Sequence, residues 1–209
     1  MINFNFSVDN VEKTLKIGIM GGTFDPVHIA HLAIAELAVE QLKLDKLLFV
    51  PARIAPHKTD KRETIERADH RYEMLKLATR DNNKFNVSNI EFNREGTSYT
   101  IDTLEQIKKE FGGEAKLFLL IGSDNYLTFN EWREPERIHE LAEVTVYSRP
   151  GSRISKVEPP FLLLKGPGIE ITSTWIRDRI LNKKSIRYFL PENVKEYIYK
   201  NKLYNKKEE

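Results

Sequence analysis

No cysteine occurs in the 209 residues. That absence excludes a disulfide framework, thiolate metal ligands and a cysteine nucleophile, and it fits a reducing, cytoplasmic setting. Long apolar runs are missing too: none approaches the roughly 20 residues that cross a bilayer. Residues 1–14 lack the basic stretch followed by an apolar run that a secretory signal needs. Charge of one sign is scarce, since 33 basic against 31 acidic side chains leave +2, which provides no electrostatic case for coating nucleic acid or a membrane. The chain also has no G-x-G-x-x-G turn and no G-x-x-x-x-G-K-[ST] element, which argues against ordinary dinucleotide binding and against a P-loop. What is there, 40% apolar and 31% charged residues, suits one folded domain acting on something small.

Short apolar runs at 15–20, 46–50, 116–121, 144–147 and 161–164 read as buried strands, and 85–90 reads as extended. Helical spacing runs over 28–42, 71–80, 100–111, 135–141, from Thr172 or Ser173 to 181, and 191–200. The first strand–helix–strand unit predicts a parallel pair with a right-handed crossover. The whole pattern predicts an α/β fold: a Rossmann-like, doubly wound, mainly parallel sheet with helices on both faces and a small C-terminal helical part. Residues 1–14 read as an extension, 15–204 as one domain and 205–209 as a disordered tail. The polar connection 51–69 is long, and long loops in compact domains are often functional.

Gly21-Gly22-Thr23-Phe24-Asp25-Pro26-Val27-His28-Ile29-Ala30-His31 directly follows the first strand. Ligands of open α/β sheets gather at such strand ends. The glycines let backbone amides approach an anion, and the helix start points further amides at it. His28 and His31 share one face of the first helical turn. Each can donate a hydrogen bond to a phosphate oxygen, and an imidazolium would add charge at a transferring phosphoryl group. Taken alone, the stretch reads equally as a glycine turn before a capped helix with two surface histidines. A zinc reading of His-x-x-His, with Asp25 or His57 as a third ligand, is weaker.

Further along, Thr172 or Ser173 is a natural N-cap, and Ser173 and Arg177 lie one turn apart, where hydroxyl, amides and guanidinium can converge on a polyphosphate. By itself this segment is more readily a capped amphipathic helix with an exposed arginine. Ser98 or Thr100 is expected to cap the helix that follows them. Asp124, just past the most apolar strand, can accept from ribose hydroxyls. Trp132, among polar neighbours, offers a half-exposed face for an electron-poor ring. Lys58 reads on spacing alone as a solvated loop lysine.

The stretch GGTFDPVHIAH resembles the signature of the HxGH nucleotidyltransferase superfamily, and most closely that of the bacterial nicotinate-nucleotide adenylyltransferases; Ala30 stands where glycine is usual. Ile171-Thr172-Ser173-Thr174-Trp175-Ile176-Arg177 is similar to the family's I-S-[ST]-x-x-[IV]-R element, with Thr172 in place of serine. Pro56-His57-Lys58 resembles its P-H-K element, Ser98-Tyr99-Thr100-Ile101-Asp102-Thr103-Leu104 its S-Y-T-x-D-T-L segment, Gly122-Ser123-Asp124 with Trp132 its G-x-D…W element, and Arg149-Pro150-Gly151 its R-P-G turn. Any one of these is weak, but their order along one chain is a strong signal. The resemblance implies transfer of the adenylyl group of ATP to the 5′-phosphate of nicotinate mononucleotide, with release of pyrophosphate. It implies His28, His31 and Arg177 as catalytic residues, and Gly21, Gly22, Thr23, Phe24, Thr172, Ser173 and Thr174 around ATP. Lys58, Ser98, Tyr99, Thr100, Asp124 and Trp132 would surround the acceptor. Mg²⁺ would arrive with ATP, with no resident metal site and no nucleic-acid or membrane partner; self-association stays open. A sister transferase with another phosphorylated acceptor and a silent nucleotide-binding module are the rival readings. The preference for nicotinate over nicotinamide rests on the resemblance alone.

Overall fold

The five apolar runs and the extended segment pair side by side. In a computed structural model, which describes residues 14–53, 68–148 and 154–205, they become β1 (Lys16–Gly22), β2 (Lys46–Pro51), β3 (Phe85–Val87), β4 (Lys116–Gly122), β5 (Ala142–Tyr147) and β6 (Leu162–Leu164). All neighbours are parallel, in the order β3-β2-β1-β4-β5-β6. Near-continuous apolar strands are what a parallel sheet covered on both faces requires. Alternate residues accordingly feed two cores: Leu47, Phe49, Phe118 and Leu120 on one side, Leu48, Val50, Leu117 and Leu119 on the other.

The covering helices are α1 (Ile29–Gln41), α2 (Ala68–Thr79), α3 (Thr100–Glu110), α4 (Ser123–Leu127), α5 (Pro135–Leu141), α6 (Ser173–Leu181) and α7 (Glu192–Lys200), with a 3₁₀ turn at Phe129–Glu131. Residues of α1, α2, α6 and α7 share the first core, and those of α3 and α5 the second. The C-terminal helices are therefore part of one layer, tied to α2 by a hydrogen bond between His70 Nδ1 and the Tyr197 hydroxyl (2.9 Å) and one from Asn193 Nδ2 to the Leu77 carbonyl (2.7 Å). Strand order reverses between β1 and β4, so the crevice over their carboxyl ends is the switch point where such sheets take ligands.

Three details depart from expectation. β3 ends at Val87 instead of running to Ile90, because the Ser88 hydroxyl accepts the Ile90 amide (3.3 Å) and turns the chain. α2 begins at Ala68, three residues before the predicted start. The short α4 and the 3₁₀ turn, in a stretch with no helical period, were not expected. Residues 1–13 of the expected extension, the segment holding Pro56, His57 and Lys58, the Arg149-Pro150-Gly151 turn and residues 206–209 of the expected tail lie outside the described residues. Among the described residues no helix is long and apolar enough to cross a membrane.

Candidate active site

The turn leaving β1 is anchored by Phe24. Its φ is +51°, a left-handed conformation uncommon for a large side chain. Burial of the ring, 2% exposed, against Phe49 and edge-on to His31 (centroids 5.0 Å) holds it there. His28 is the extended N-cap of α1. Its backbone amide donates to Nδ1 of His31 at 3.2 Å, and the two imidazoles stack with centroids 3.7 Å apart. Because Nδ1 accepts, the proton of the neutral His31 ring is assigned to Nε2. The two-surface-histidine reading does not survive, since His28 is only 4% exposed.

α6 docks on this turn. Thr172 is its N-cap, accepting the Trp175 amide at 3.1 Å. The Ser173 hydroxyl donates to the Pro26 carbonyl at 2.9 Å, and Arg177 Nη1 donates to the Asp25 carbonyl at 2.7 Å. Two segments some 150 residues apart in sequence are thus joined directly. They line one cavity of about 450 Å³, whose wall holds Gly21, Gly22 and Thr23, His28 and His31, Thr172, Ser173 and Thr174, and Arg177. Phe24 and Ala30 line it too.

Supporting residues appear that sequence reasoning missed. Asp25 is buried, and its Oδ1 accepts the Tyr204 hydroxyl at 2.7 Å. Arg71 is fully buried and its Nη1 donates to the carbonyls of Thr23 and Ala52, each at 2.8 Å, tying the ends of β1 and β2 together. Burial pulls the Arg71 pKa below the ordinary guanidinium value, and the negative potential of Asp25, Tyr204 and Glu91 opposes that pull.

A second cavity, about 360 Å³, lies on the other side of Gly21, Gly22 and Thr23 and is lined by Ser98, Tyr99, Thr100, Trp132 and Glu91; Asn125 borders both. The expected cap is corrected here. Tyr99 is the N-cap of α3, with no side-chain cap bond, and Thr100 is already helical. The Ser98 hydroxyl instead accepts the Arg53 amide at 3.2 Å, a tertiary bond that takes the group a local cap would have used. Trp132 is half-buried, packed on Phe129, and its indole Nε1 has no hydrogen-bond partner among the described residues. Glu91 is buried; its Oε1 accepts the Thr103 hydroxyl at 2.8 Å, and Oε2 has no partner among the described residues. Burial pushes the Glu91 pKa up, and the nearby hydroxyls of Ser98 and Thr103, the Arg94 charge and the Arg53 amide oppose the rise. Asp124 is exposed and borders neither cavity; its neighbour Asn125 occupies that position. Among the described residues no group of three or more His, Asp or Glu side chains could hold a metal ion.

A doubly wound parallel sheet, with a histidine-bearing glycine turn at its switch point and a hydroxyl–arginine helix docked on it, has the architecture of a nucleotide-handling α/β protein. Comparison with known proteins agrees: the cytidylyltransferase-like family model matches residues 19–179. The chain is 42% identical over 198 residues to the "Probable nicotinate-nucleotide adenylyltransferase" of Exiguobacterium sibiricum, covering 91% of this chain and 99% of that one. A protein of the same name from Thermus thermophilus is 40% identical over 190 residues, 91% and 100% of the two chains. The solved structure of Plasmodium falciparum nicotinic acid mononucleotide adenylyltransferase complexed with NaAD shares the fold, with a TM-score of 0.73 at 20% identity over 91% of this chain and 98% of that one. The chain belongs to the cytidylyltransferase-like family and, within it, to the nicotinate-nucleotide adenylyltransferases.

Proposed function

We propose that the protein transfers the adenylyl group of ATP to the 5′-phosphate of nicotinate mononucleotide in the cytoplasm, giving deamido-NAD and pyrophosphate in NAD biosynthesis. The observation that carries this is the convergence of His28, His31, Ser173 and Arg177 on one cavity that shares a wall with a second, tryptophan-bearing one. The names of the relatives supply the acceptor. An oxygen of the acceptor phosphate attacks the α-phosphorus, and the bond from that phosphorus to the bridging oxygen breaks. Pyrophosphate leaves with the electron pair. The acceptor phosphate is already ionised at neutral pH, so positioning and charge stabilisation are what the protein supplies. His31, through Nε2–H, and His28 hold the α-phosphoryl oxygens; Ser173 and Arg177, with Thr172, Thr174 and the amides of Gly21, Gly22, Thr23 and Phe24, hold the rest of the triphosphate. Mg²⁺, when bound, neutralises triphosphate charge. Asp25, the carboxylate nearest the phosphate turn, is engaged by Tyr204 and Arg177, so the ion would be seated on phosphate oxygens and water, as magnesium commonly is.

On the acceptor side, Trp132 stacks on the pyridinium ring. Tyr99 and Thr100 present the start of α3, an N-terminus without a side-chain cap. A helix N-terminus favours a carboxylate over a neutral amide, which supports nicotinate over nicotinamide. Ser98 borders the same pocket. Lys58 and Asp124 keep acceptor-side roles in this reading on the resemblance alone. The test is pyrophosphate release with ATP, Mg²⁺ and a panel of phosphorylated acceptors. Release should be at least about tenfold more efficient with nicotinate mononucleotide than with nicotinamide mononucleotide, a difference of the size one well-placed polar contact gives. Release only with phosphopantetheine or glycerol phosphate would assign a sister transferase. ATP binding without release from any acceptor would leave a binding module.

A further inference from the structure

The turn that follows α7 reaches the candidate phosphate site through the Tyr204 hydroxyl. Leu203 and Tyr204, just beyond α7, are buried, and the Tyr204 phenol donates to Asp25 Oδ1 at 2.7 Å. Asp25 lies in the middle of the phosphate turn with 6% exposure, so water cannot solvate its charge. The buried Arg71 and the cavity-lining Arg177 are the cations near it, and Arg177 Nη1 stands 3.9 Å from Asp25 Oδ2, beyond hydrogen-bond reach. The guanidinium is held elsewhere: Nη1 donates to the Asp25 backbone carbonyl at 2.7 Å and Nη2 to the Thr174 hydroxyl at 3.3 Å. Its side chain stays 25% exposed and borders the 450 Å³ cavity. A buried carboxylate and a neighbouring guanidinium attract strongly and favour a two-bond fork. The bond from Tyr204 takes one acceptor site on Oδ1 and ties down the carboxylate that such a fork would have to turn.

We propose that Tyr204 is a positioning residue for the phosphates of ATP: its hydroxyl anchors Asp25 and disperses the carboxylate charge, so that Arg177 stays on the backbone carbonyl and presents N–H groups to the ligand. This rests on the phosphate-binding reading of the cavity. Without the hydroxyl, Asp25 turns both oxygens on Arg177 and draws the guanidinium off the ligand. The turn after α7 is thereby a working part of a site whose ligand-binding segments lie up to Arg177.

The experiment is a double-mutant cycle read by calorimetry of Mg·ATP binding, with acceptor kinetics alongside. Tyr204→Phe removes one oxygen and keeps the buried ring. It should weaken ATP binding about tenfold, the scale of one hydrogen bond to a charged group, and leave KM for nicotinate mononucleotide within about twofold. In an Asp25→Asn background the same change should cost less than about twofold, since no carboxylate charge is left to capture Arg177. Should Asp25→Asn fail to fold, Arg177→Gln serves instead: with no guanidinium to capture, Tyr204→Phe again costs less than about twofold. An equal penalty in both backgrounds, or unchanged ATP binding in Tyr204→Phe alone, overturns the proposal. Because ATP binding is measured without acceptor, failure of the adenylyl-transfer reading, seen as absent pyrophosphate release, is distinguishable from failure of this one.

Discussion

His31 carries two roles that a pair of substitutions can separate. As the third residue of α1 it accepts the His28 amide on Nδ1 at 3.2 Å, closing the helix start. As a ring in the cavity wall it stacks on His28 and meets Phe24 edge-on. His31→Ala removes everything. The lost cap bond costs about 1 kcal/mol, and the lost ring contacts about 1 kcal/mol more. A deficit of about 2 kcal/mol lowers Tm by roughly 4–8 °C in a domain of this size. His31→Gln keeps the cap, because glutamine at this helix position reaches back to the N-cap amide; only the ring contacts are lost, and Tm should fall by roughly half as much. His31→Ala loses the Nε2–H donor aimed at charge that develops on the α-phosphoryl group, whereas the glutamine amide, with Oε1 on the cap, still carries an N–H donor. Removing one such donor typically costs about 10²–10³ in kcat. The loss should fall on kcat with KM for ATP changing less than about threefold, since the contact strengthens in the transition state. Pyrophosphate release at saturating ATP, magnesium and nicotinate mononucleotide, paired with thermal unfolding of each variant, reads both roles. If His31→Ala turned over within about threefold of the unaltered protein, the imidazole would be a helix cap and the catalytic assignment would be wrong.

Two other perturbations probe the walls of the cavities. Burial raises the Glu91 pKa, so the folded protein holds that proton more tightly than the unfolded chain. Stability should therefore fall as pH rises from the ordinary glutamate value, about 4.3, through the folded value, and level off above it. Glu91→Gln removes this loss, so its Tm advantage over the unaltered protein should widen from pH 4.5 to pH 7; a gap that stays constant over that range would show that Glu91 is not the group responsible. At Gly22, a Cβ would stand 3.0 Å from the ζ carbon and 3.2–3.3 Å from the ε carbons of Phe24, a ring packed against Phe49 and edge-on to His31. Gly22→Ala should cost about 1–3 kcal/mol of stability and lower kcat by pushing Phe24 onto His31. Unchanged Tm and kcat would mean that the ring yields freely.

The parallel sheet was legible because its central strands are uninterrupted apolar runs, and β1, β2 and β4 fall within two residues of where those runs lie. β3 was overextended because it is an edge strand of three residues, where a serine hydroxyl suffices to turn the chain. The α4 helix and the 3₁₀ turn carry no periodic signal. Their position is set by Phe129, whose ring packs against Trp132, His139 and Phe161, contacts that exist only after folding. The failed cap has the same origin. Ser98 looks like an N-cap within its own segment, but the Arg53 amide, 45 residues away, takes its oxygen.

The site divides along the same line, and the division has a physical cause. In the proposed site, the residues assigned to the ligand are presented from short, rigid turns, so His28 with His31, and Thr172 and Ser173 with Arg177, stand close together in sequence. Residues that hold those turns still must reach them from other elements, as Tyr204 reaches Asp25 across 179 positions and Arg71 reaches Thr23 across 48. A charged side chain in a predicted amphipathic helix reads as solvent-facing, which is how Arg71 escaped notice. Its complete burial becomes intelligible only when the carbonyls of Thr23 and Ala52 are seen to converge on one nitrogen. That arrangement costs desolvation of a guanidinium, and its return is a phosphate turn locked to the end of the neighbouring strand before any nucleotide arrives. Stabilisation of developing charge depends on such preorganisation. On the proposed reading, the buried supports are therefore as much a part of the phosphate site as the histidines and Arg177, even though only the latter announce themselves in the sequence.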